Sequence, residues 1–322
     1  MIARFAIEFF FTIALVVVPL LFALLCRWLA PRRYWRLFAL IGTLVIWGVV
    51  AYGYLVGRNE LVVHRVEYVN SDLPEAFDGF RIVQFSDAHV PSLADHQLLR
   101  IIDSINAEQP DIVVFTGDMV NVHPAEVLSD LHLFDRIVSR NGVISVLGNH
   151  DYPIYCDEPE SEKAHMLEMM KELENRPRWM KLMLNENGVI RRDSDSIVIA
   201  GMENWGMVKR MPRLGDVQKT MAGVDTTAFV VMLQHDPTAW RAKILPECHA
   251  QLTLSGHTHG GQFSLFGWSP VSLSYNEWAG FTYEGNRALF VSTGVGGLIP
   301  FRLNMPGEIV VITLKKYPKD KS

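Results

Sequence analysis

The sequence predicts an α/β domain, its sheet parallel at least in the first half, carried behind a membrane-spanning helical hairpin. Three observations point there. The first 56 residues hold two long uncharged apolar runs. Beyond them, short apolar runs alternate with helical periodicity at intervals of about thirty residues. Polar residues of metal-binding type directly follow several of those runs.

The apolar excess is local. Over 322 residues the formal charge is −5, and the mean hydropathy of +0.13 is high for a soluble domain. The first 56 residues carry only Arg4, Glu8, Arg27, Arg32, Arg33 and Arg36 as charged side chains, leaving 25 basic and 34 acidic residues, a charge of −9, from residue 57 onward. That remainder is long enough for one well-packed domain or two small ones. The balance excludes intrinsic disorder, a disulfide-stapled miniprotein and capture of nucleic acid by net positive charge. Cys26, Cys156 and Cys248 form no metal or redox spacing.

Phe9–Cys26 is an uncharged run of 18 residues and Leu37–Val56 one of 20. At about 1.5 Å per residue, each can cross a hydrocarbon core of roughly 30 Å. We place the spans at about 6–26 and 37–56 and the boundary at residue 57, with a second domain over 58–322. Arg27, Arg32, Arg33 and Arg36 fill the short link, flanked by Trp28 and Trp35, while Trp47, Tyr52 and Tyr54 sit in the outer half of the second run. Aromatic belts and a basic loop are what a membrane hairpin requires. A cleaved signal peptide fits less well, since the small-residue cleavage pattern is missing and a second span follows. Leu25 before Cys26 also makes a poor lipoprotein site. The positive-inside rule puts the link in the cytoplasm, and everything after residue 57 outside.

Residues 81–86 read as a buried strand before a polar turn, and Leu98, Leu99, Ile101, Ile102 and Ile105 as the buried face of a helix. A second strand follows at 111–116. Val127, Leu131, Phe134 and Val138 mark a second helix, and 143–147 a third strand. Later strands are expected at 197–200, 229–233, 252–255, 289–291 and 309–314. The stretch 151–187 departs from this alternation. It carries Pro153, Pro159 and Pro177 and a methionine-rich helical piece around Met166, Met169 and Met170. It is either a lid or an ordinary surface helix with a methionine-lined buried face.

Chemistry clusters where the strands end. Asp87 and His89 follow the first, Gly117-Asp118 the second, and Gly148-Asn149-His150-Asp151 the third. His235 ends a fourth, and Gly256-His257-Thr258-His259-Gly260-Gly261 a fifth. Ligands of open α/β sheets collect beyond the carboxyl ends of the strands. Carboxylate, amide oxygen and imidazole without cysteine suit Mn²⁺, Fe, Zn²⁺ or Mg²⁺. Alone, each piece is an ordinary turn. In this order, each after a strand, they describe a metal site.

This ordered set resembles the calcineurin-like metallophosphoesterases over about residues 79–314, and is closer to their bacterial membrane-associated branch. Gly256–Gln262 matches that branch's Gly-His-Thr-His-Gly-Gly-Gln stretch, and Val291–Ile309 resembles its closing pattern. The resemblance implies a four-layer αββα sandwich with two divalent metal ions on its rim. It implies Asp87, His89 and His259 as ligands of the first ion, Asn149, His235 and His257 as ligands of the second, and Asp118 as the bridge. It implies that His150 stabilises the transition state or protonates the leaving oxygen, the nucleophile being metal-bound hydroxide. Asp151 either supports His150 or caps a turn. Two such ions bring positive charge to an acidic domain where a phosphate needs it.

Two places depart from the branch: Glu203-Asn204 stands where an acidic pair is usual, and Gly307 interrupts a tighter stretch. Neither touches a ligand. Arg302 is a candidate phosphate contact or one half of a structural ion pair. Trp205, Trp268 and Trp278 are expected in the core rather than along an apolar groove. His64, His96, His123, His132, His165 and His249 fall outside the pattern, as surface or packing residues.

The expectation is a bacterial multi-pass membrane hydrolase with an extracytoplasmic site. It would cleave a phosphodiester or phosphomonoester, with lipid-linked and envelope-derived esters among the candidates. One rival is a pyrophosphatase of the UDP-2,3-diacylglucosamine type, whose site must be cytoplasmic. The other is a catalytically inactive metal-binding scaffold, which should have lost ligands that this chain keeps.

Overall fold

The computed structural model describes residues 2–175 and 180–317, so Pro177 lies outside the described residues. Its first part is a helical hairpin. Helix α1 (Ile2–Thr12) runs through a π-helical segment, Ile13–Val17, into α2 (Val18–Leu29), and α3 (Trp35–Leu55) returns antiparallel. Pro19 has no N–H to give the Leu15 carbonyl four residues back. The Trp47 indole of α3 donates to that carbonyl at 3.0 Å instead. Trp47 is thus a contact between the helices, not only a boundary aromatic. The apolar windows of the two helices are 6% and 17% buried. They are not the core helices of a soluble fold.

The remaining chain forms two sheets. Strands β1 (Leu61–Asn70), β2 (Arg81–Phe85), β3 (Ile112–Phe115), β4 (Val143–Ser145), β5 (Met180–Leu182), β6 (Glu186–Arg192), β7 (Asp195–Gly201), β8 (Val230–Leu233), β9 (Leu252–Ser255), β10 (Gly280–Glu284), β11 (Arg287–Val291) and β12 (Gly307–Lys316) follow in chain order. One sheet has the order β1-β12-β2-β3-β4-β5, the other β10-β11-β9-β8-β7-β6. Strands β2 to β5 are parallel to one another, as are β7, β8, β9 and β11, while β12 runs antiparallel to β2.

The two-residue period of the strands sorts their side chains into layers. Ile82, Ile112 and Val114 face Ile199, Val231 and Phe290 across the space between the sheets. Val83, Val113 and Phe115 face outward onto Leu98, Ile101, Ile102 and Ile105 of α4 (Asp95–Ala107). On the far face of the other sheet, Val198, Ala200 and Val230 pack against Trp240 and Ile244. Helix, sheet, sheet, helix is the four-layer αββα sandwich.

Several expectations change in detail. The helix expected over 127–138 is a 3₁₀ turn at Pro124–Val127 and a single turn, α5 (Leu131–Phe134). Strand β1 was not anticipated. It pairs parallel with β12 along its whole length, and its alternate exposed residues hide the apolar pattern. In 151–187, α6 (Glu160–Glu174) buries Met166 and Met170, the latter in the α4-side core. Of its two expected readings, that packing is the surface-helix one. Of the three tryptophans expected in the core, Trp205 is half-buried against the core on the far face of the second sheet, and Trp278 is half-buried. Trp268 is 49% exposed on a turn, and among the described residues the fully buried indole is Trp240.

Candidate metal centre

The loops after β2, β3 and β4 of one sheet meet those after β8 and β9 of the other, at one rim. Backbone bonds hold them in register: Asp87 N to Gly117 O at 2.9 Å, His89 N to Asp118 O at 3.1 Å and Gly256 N to His235 O at 3.0 Å. The turns are sharp. Asp87, His89, Asp118, His257 and His259 have φ of 53°, 40°, 63°, 74° and 52°. Left-handed backbone at a residue with a side chain costs of order 1–3 kcal/mol, and clusters at functional sites. Five such residues on one rim mark it as a site before any chemistry is considered.

Three groups of donors converge, each with its atoms within 4.8 Å of one another: Asp87, His89 and His259; His89, Asp118 and His150; Asp118, His235 and His257. Asp118 joins them, with Oδ2 3.7 Å from His89 Nε2 and 3.2 Å from His235 Nε2. His259 Nε2 lies 3.5 Å from Asp87 Oδ1. The Asn149 Oδ1 atom sits 3.1 Å from His235 Nε2 and 2.6 Å from His257 Nδ1. All seven residues expected as ligands are therefore together, with His150 at their edge.

The opposite ring nitrogens are held by neighbours, which fixes ring orientation. His235 Nδ1 meets Thr116 O at 2.6 Å, His89 Nδ1 meets Val120 O and Asn121 Oδ1, and His257 Nε2 meets the Tyr275 hydroxyl at 2.7 Å. The Tyr155 hydroxyl accepts from Asn149 Nδ2 at 2.8 Å, and its ring stacks on His150 with centroids 4.3 Å apart. His150 Nδ1 is tied to Asn121 O at 2.6 Å. Neither tyrosine was legible as part of the site, because each comes from a loop with no motif of its own.

Does this set fit a metal? His89 Nε2 is buried without a hydrogen-bond partner, a cost a cation would remove. Burial raises the Asp87 carboxyl to about 6, against the charge of His235. Burial lowers His89 to about 3, lowers His257, and holds His259 well below its ordinary value. Burial opposes charge on Asp118 and His235 too, but their mutual attraction outweighs it, so Asp118 falls well below the carboxylate range and His235 rises to about 10. Neutral imidazoles beside ionised carboxylates are the states a divalent cation requires, and its binding displaces protons. The set fits.

Two other residues resolve differently. Asp151 does not bond to the His150 ring. Its carboxylate accepts from Gly148 N (2.8 Å), Asp118 N (2.7 Å) and Met119 N (2.8 Å), clamping the loops after β3 and β4 together. Arg302 is 3% exposed. Its Nη atoms donate to the carbonyls of Thr293, Gly294, Gly296, Met305 and Pro306, so it is a structural clamp rather than a group presented to phosphate.

The profile of the calcineurin-like phosphoesterases matches residues 80–261, more than half of the chain. The chain belongs to this family. It is similar to a transmembrane protein with metallophosphoesterase domain from Danio rerio, 30% identical over 283 residues, 85% of this chain and 62% of that one. The metallophosphoesterase YkuE of Bacillus subtilis is 29% identical, with 82% and 90% covered. The UDP-2,3-diacylglucosamine pyrophosphatase LpxG of Chlamydia trachomatis is 26% identical, with 77% and 88% covered. The chain thus spans less than two thirds of the Danio rerio protein's length. The matched segment contains all seven of the expected ligand positions and His150.

Proposed function

We propose that the chain is a membrane-anchored phosphoesterase using two divalent ions, one held by Asp87, His89 and His259, the other by Asn149, His235 and His257, with Asp118 shared. The observation that carries this reading is the Asp118 carboxylate, whose Oδ2 faces imidazoles of both groups at 3.7 and 3.2 Å. Ions bound there would supply Lewis acidity to the phosphoryl oxygens and acidify the attacking water. The remaining steps belong to side chains. Water adds to phosphorus, the ester P–O bond breaks, and the leaving oxygen takes a proton. His150 is the group to deliver it. With Nδ1 committed to the Asn121 carbonyl, Nε2 is the nitrogen that can hold and pass a proton. The stacked Tyr155 ring keeps that nitrogen aimed.

The anchor is the hairpin, residues 1–57, with the hydrolase domain over 58–322. At about 1.5 Å per residue, spans of 23 and 25 residues are long enough to cross a bilayer. The four arginines of the link support a cytoplasmic link, with the hydrolase domain on the opposite side. This favours an envelope-derived or lipid-linked phosphate ester. A second reading draws on the Chlamydia trachomatis relative: a pyrophosphatase acting on an acylated nucleotide sugar, which needs the reverse topology.

Purified full-length chain assayed with bis-p-nitrophenyl phosphate and p-nitrophenyl phosphate, under Mn²⁺, Zn²⁺ or Mg²⁺, tests the enzyme reading. Metal-dependent release of nitrophenol from either ester is expected, and inertness toward both contradicts it. A reporter active only in the periplasm, fused after residue 322, tests the topology. A silent reporter reverses it in favour of the second reading.

A further inference from the structure

The end of the hairpin sits against the metal rim. The Arg302 N–H donates to Gly53 O of α3 at 3.2 Å, and the Phe301 ring lies where a Cβ on Gly53 would stand, 2.2 Å away. Phe301 also packs on Phe10 of α1, with centroids 4.9 Å apart. From Arg302 the connection to the site is short: its Nη donates to Gly296 O, and Gly296 N donates to Asp87 O.

Beside this joint the hairpin and the domain line a half-open cavity of about 780 Å³, within the range of small-molecule sites. One wall is the hairpin, including Ile13, Ala14, Val45 and Val49. The other is the segment after the His257/His259 loop, with Gly261, Gln262, Phe263 and Leu265, together with Phe301 and Leu303. Gln262 is the only polar side chain among the lining residues, and its amide is satisfied by the Ile299 and Phe301 carbonyls. Nothing in such walls holds water. His259 and Gly261 are two peptide steps apart, at most about 7.6 Å between Cα atoms.

The same segment carries an apolar tip. Leu265 and Trp268 bond to each other's backbone at 2.8 and 3.0 Å, around Phe266 and Gly267 at φ 52° and 79°, a tight hairpin turn. Phe266 is 99% exposed and Leu273 80%. An aromatic and aliphatic tip next to a membrane hairpin suits the bilayer interface.

We propose that the cavity takes the hydrocarbon chain of the substrate, so that the ester hydrolysed is a phosphate bearing a long alkyl or acyl chain that enters from the bilayer. The occupant follows from the walls. One wall belongs to helices whose surroundings are hydrocarbon, and the other continues into the loop that carries His257 and His259. This deepens the phosphoesterase reading and rests on it. The chain fixes position while the phosphate lies over the metal ligands, so substrate choice resides in the anchor as well as the domain.

The test uses the full-length chain in nanodiscs and a matched ester pair. For a diesterase these are p-nitrophenyl hexadecyl phosphate and p-nitrophenyl methyl phosphate; for a monoesterase, hexadecyl and methyl phosphate. The long ester should exceed the short one in kcat/KM by roughly tenfold or more, since burying two methylenes already supplies that factor. Ala14→Trp, which puts an indole into the cavity and narrows it, should lower the ratio of long to short at least tenfold. A ratio near one in the unmodified chain, or one that Ala14→Trp leaves intact, overturns the proposal and assigns the cavity to a bystander lipid. Should Ala14→Trp fail to fold, a diazirine-bearing hexadecyl ester decides on the unmodified chain. Labelling of the domain wall at residues 299–303 is expected, and labelling that spares this wall overturns the proposal. Inertness toward both esters would instead sink the phosphoesterase reading, so the two failures are distinguishable.

Discussion

Asp151→Asn separates the scaffold of the site from its chemistry. The Asp151 Oδ2 accepts from Asp118 N at 2.7 Å and Gly148 N at 2.8 Å, and Oδ1 from Met119 N at 2.8 Å and Val120 N at 3.4 Å. Asparagine has one acceptor oxygen. Whichever way its amide turns, the NH₂ group faces backbone N–H groups on one side. The milder orientation keeps the Oδ2 pair and loses one good charge-assisted bond and one long one. The harsher orientation loses two good ones. At about 1.5–3 kcal/mol per bond to a charged group, the loss is about 2–6 kcal/mol, a large part of the 5–15 typical of a domain. The damage also falls on the site, because the two N–H groups at Oδ2 belong to Asp118 itself and to the residue before Asn149. A displacement of about 1 Å there costs roughly a hundredfold in rate. Denaturant unfolding followed by tryptophan fluorescence, with turnover of the folded protein measured in parallel, should show both losses. A variant within about 0.5 kcal/mol of the parent at full turnover refutes the clamp. One that keeps its stability but shifts the pH profile restores the view that Asp151 serves His150.

Three further outcomes follow from contacts. Arg302→Met removes a donor from five carbonyls, of which Gly294 O keeps the Glu308 N–H, and should cost about 3–5 kcal/mol, by analogy with breaking a buried ionic contact; an unchanged denaturant midpoint with a raised KM would make Arg302 a substrate contact after all. Gly256→Ala puts a Cβ 2.0 Å from Ser86 Oγ and 2.3 Å from Asp87 Oδ2, so it should lose about 1–3 kcal/mol and metal affinity together. Retained metal content would show that the Asp87 loop can give way. Tyr275→Phe removes the hydroxyl on His257 Nε2, and should weaken metal binding or turnover roughly tenfold or more, read by titrating metal into chelated protein. Parental affinity would reduce that hydroxyl to a bystander.

The convergence of these donors on one rim was legible because each follows an apolar strand, and because metal chemistry restricts residue types at such places more than packing does. What held the donors was not. Tyr155 and Tyr275 reach the site from loops whose local sequence carries no period or motif. The left-handed turns at Asp87, His89, Asp118, His257 and His259 are tertiary consequences, since nothing about an aspartate or histidine announces positive φ. From sequence Arg302 reads equally as a phosphate contact or as part of an ion pair, because burial is not written locally. Only its burial among carbonyls reassigns it. The strands with uniform burial were found within a residue or two, while β1, half exposed and paired with the distant β12, gave no continuous run. The helix expected over 127–138 failed for the opposite reason: its spacing is helical, but the chain there packs as two short turns. The hairpin itself was plain from charge and length. Its docking on the rim, through Gly53, Phe301 and the cavity between them, depends on contacts some 250 residues apart, and no local pattern encodes it.

The most direct test of the central claim is metal content measured together with turnover, in the full-length chain and in Asp118→Ala. Two divalent ions per chain are predicted in the parent, with ester hydrolysis that a chelator abolishes and added metal restores. In the variant, loss of the shared carboxylate should leave less than one ion per chain and lower turnover roughly a hundredfold or more. Near-parental turnover in Asp118→Ala, or hydrolysis in the parent that survives complete removal of metal, would contradict the account.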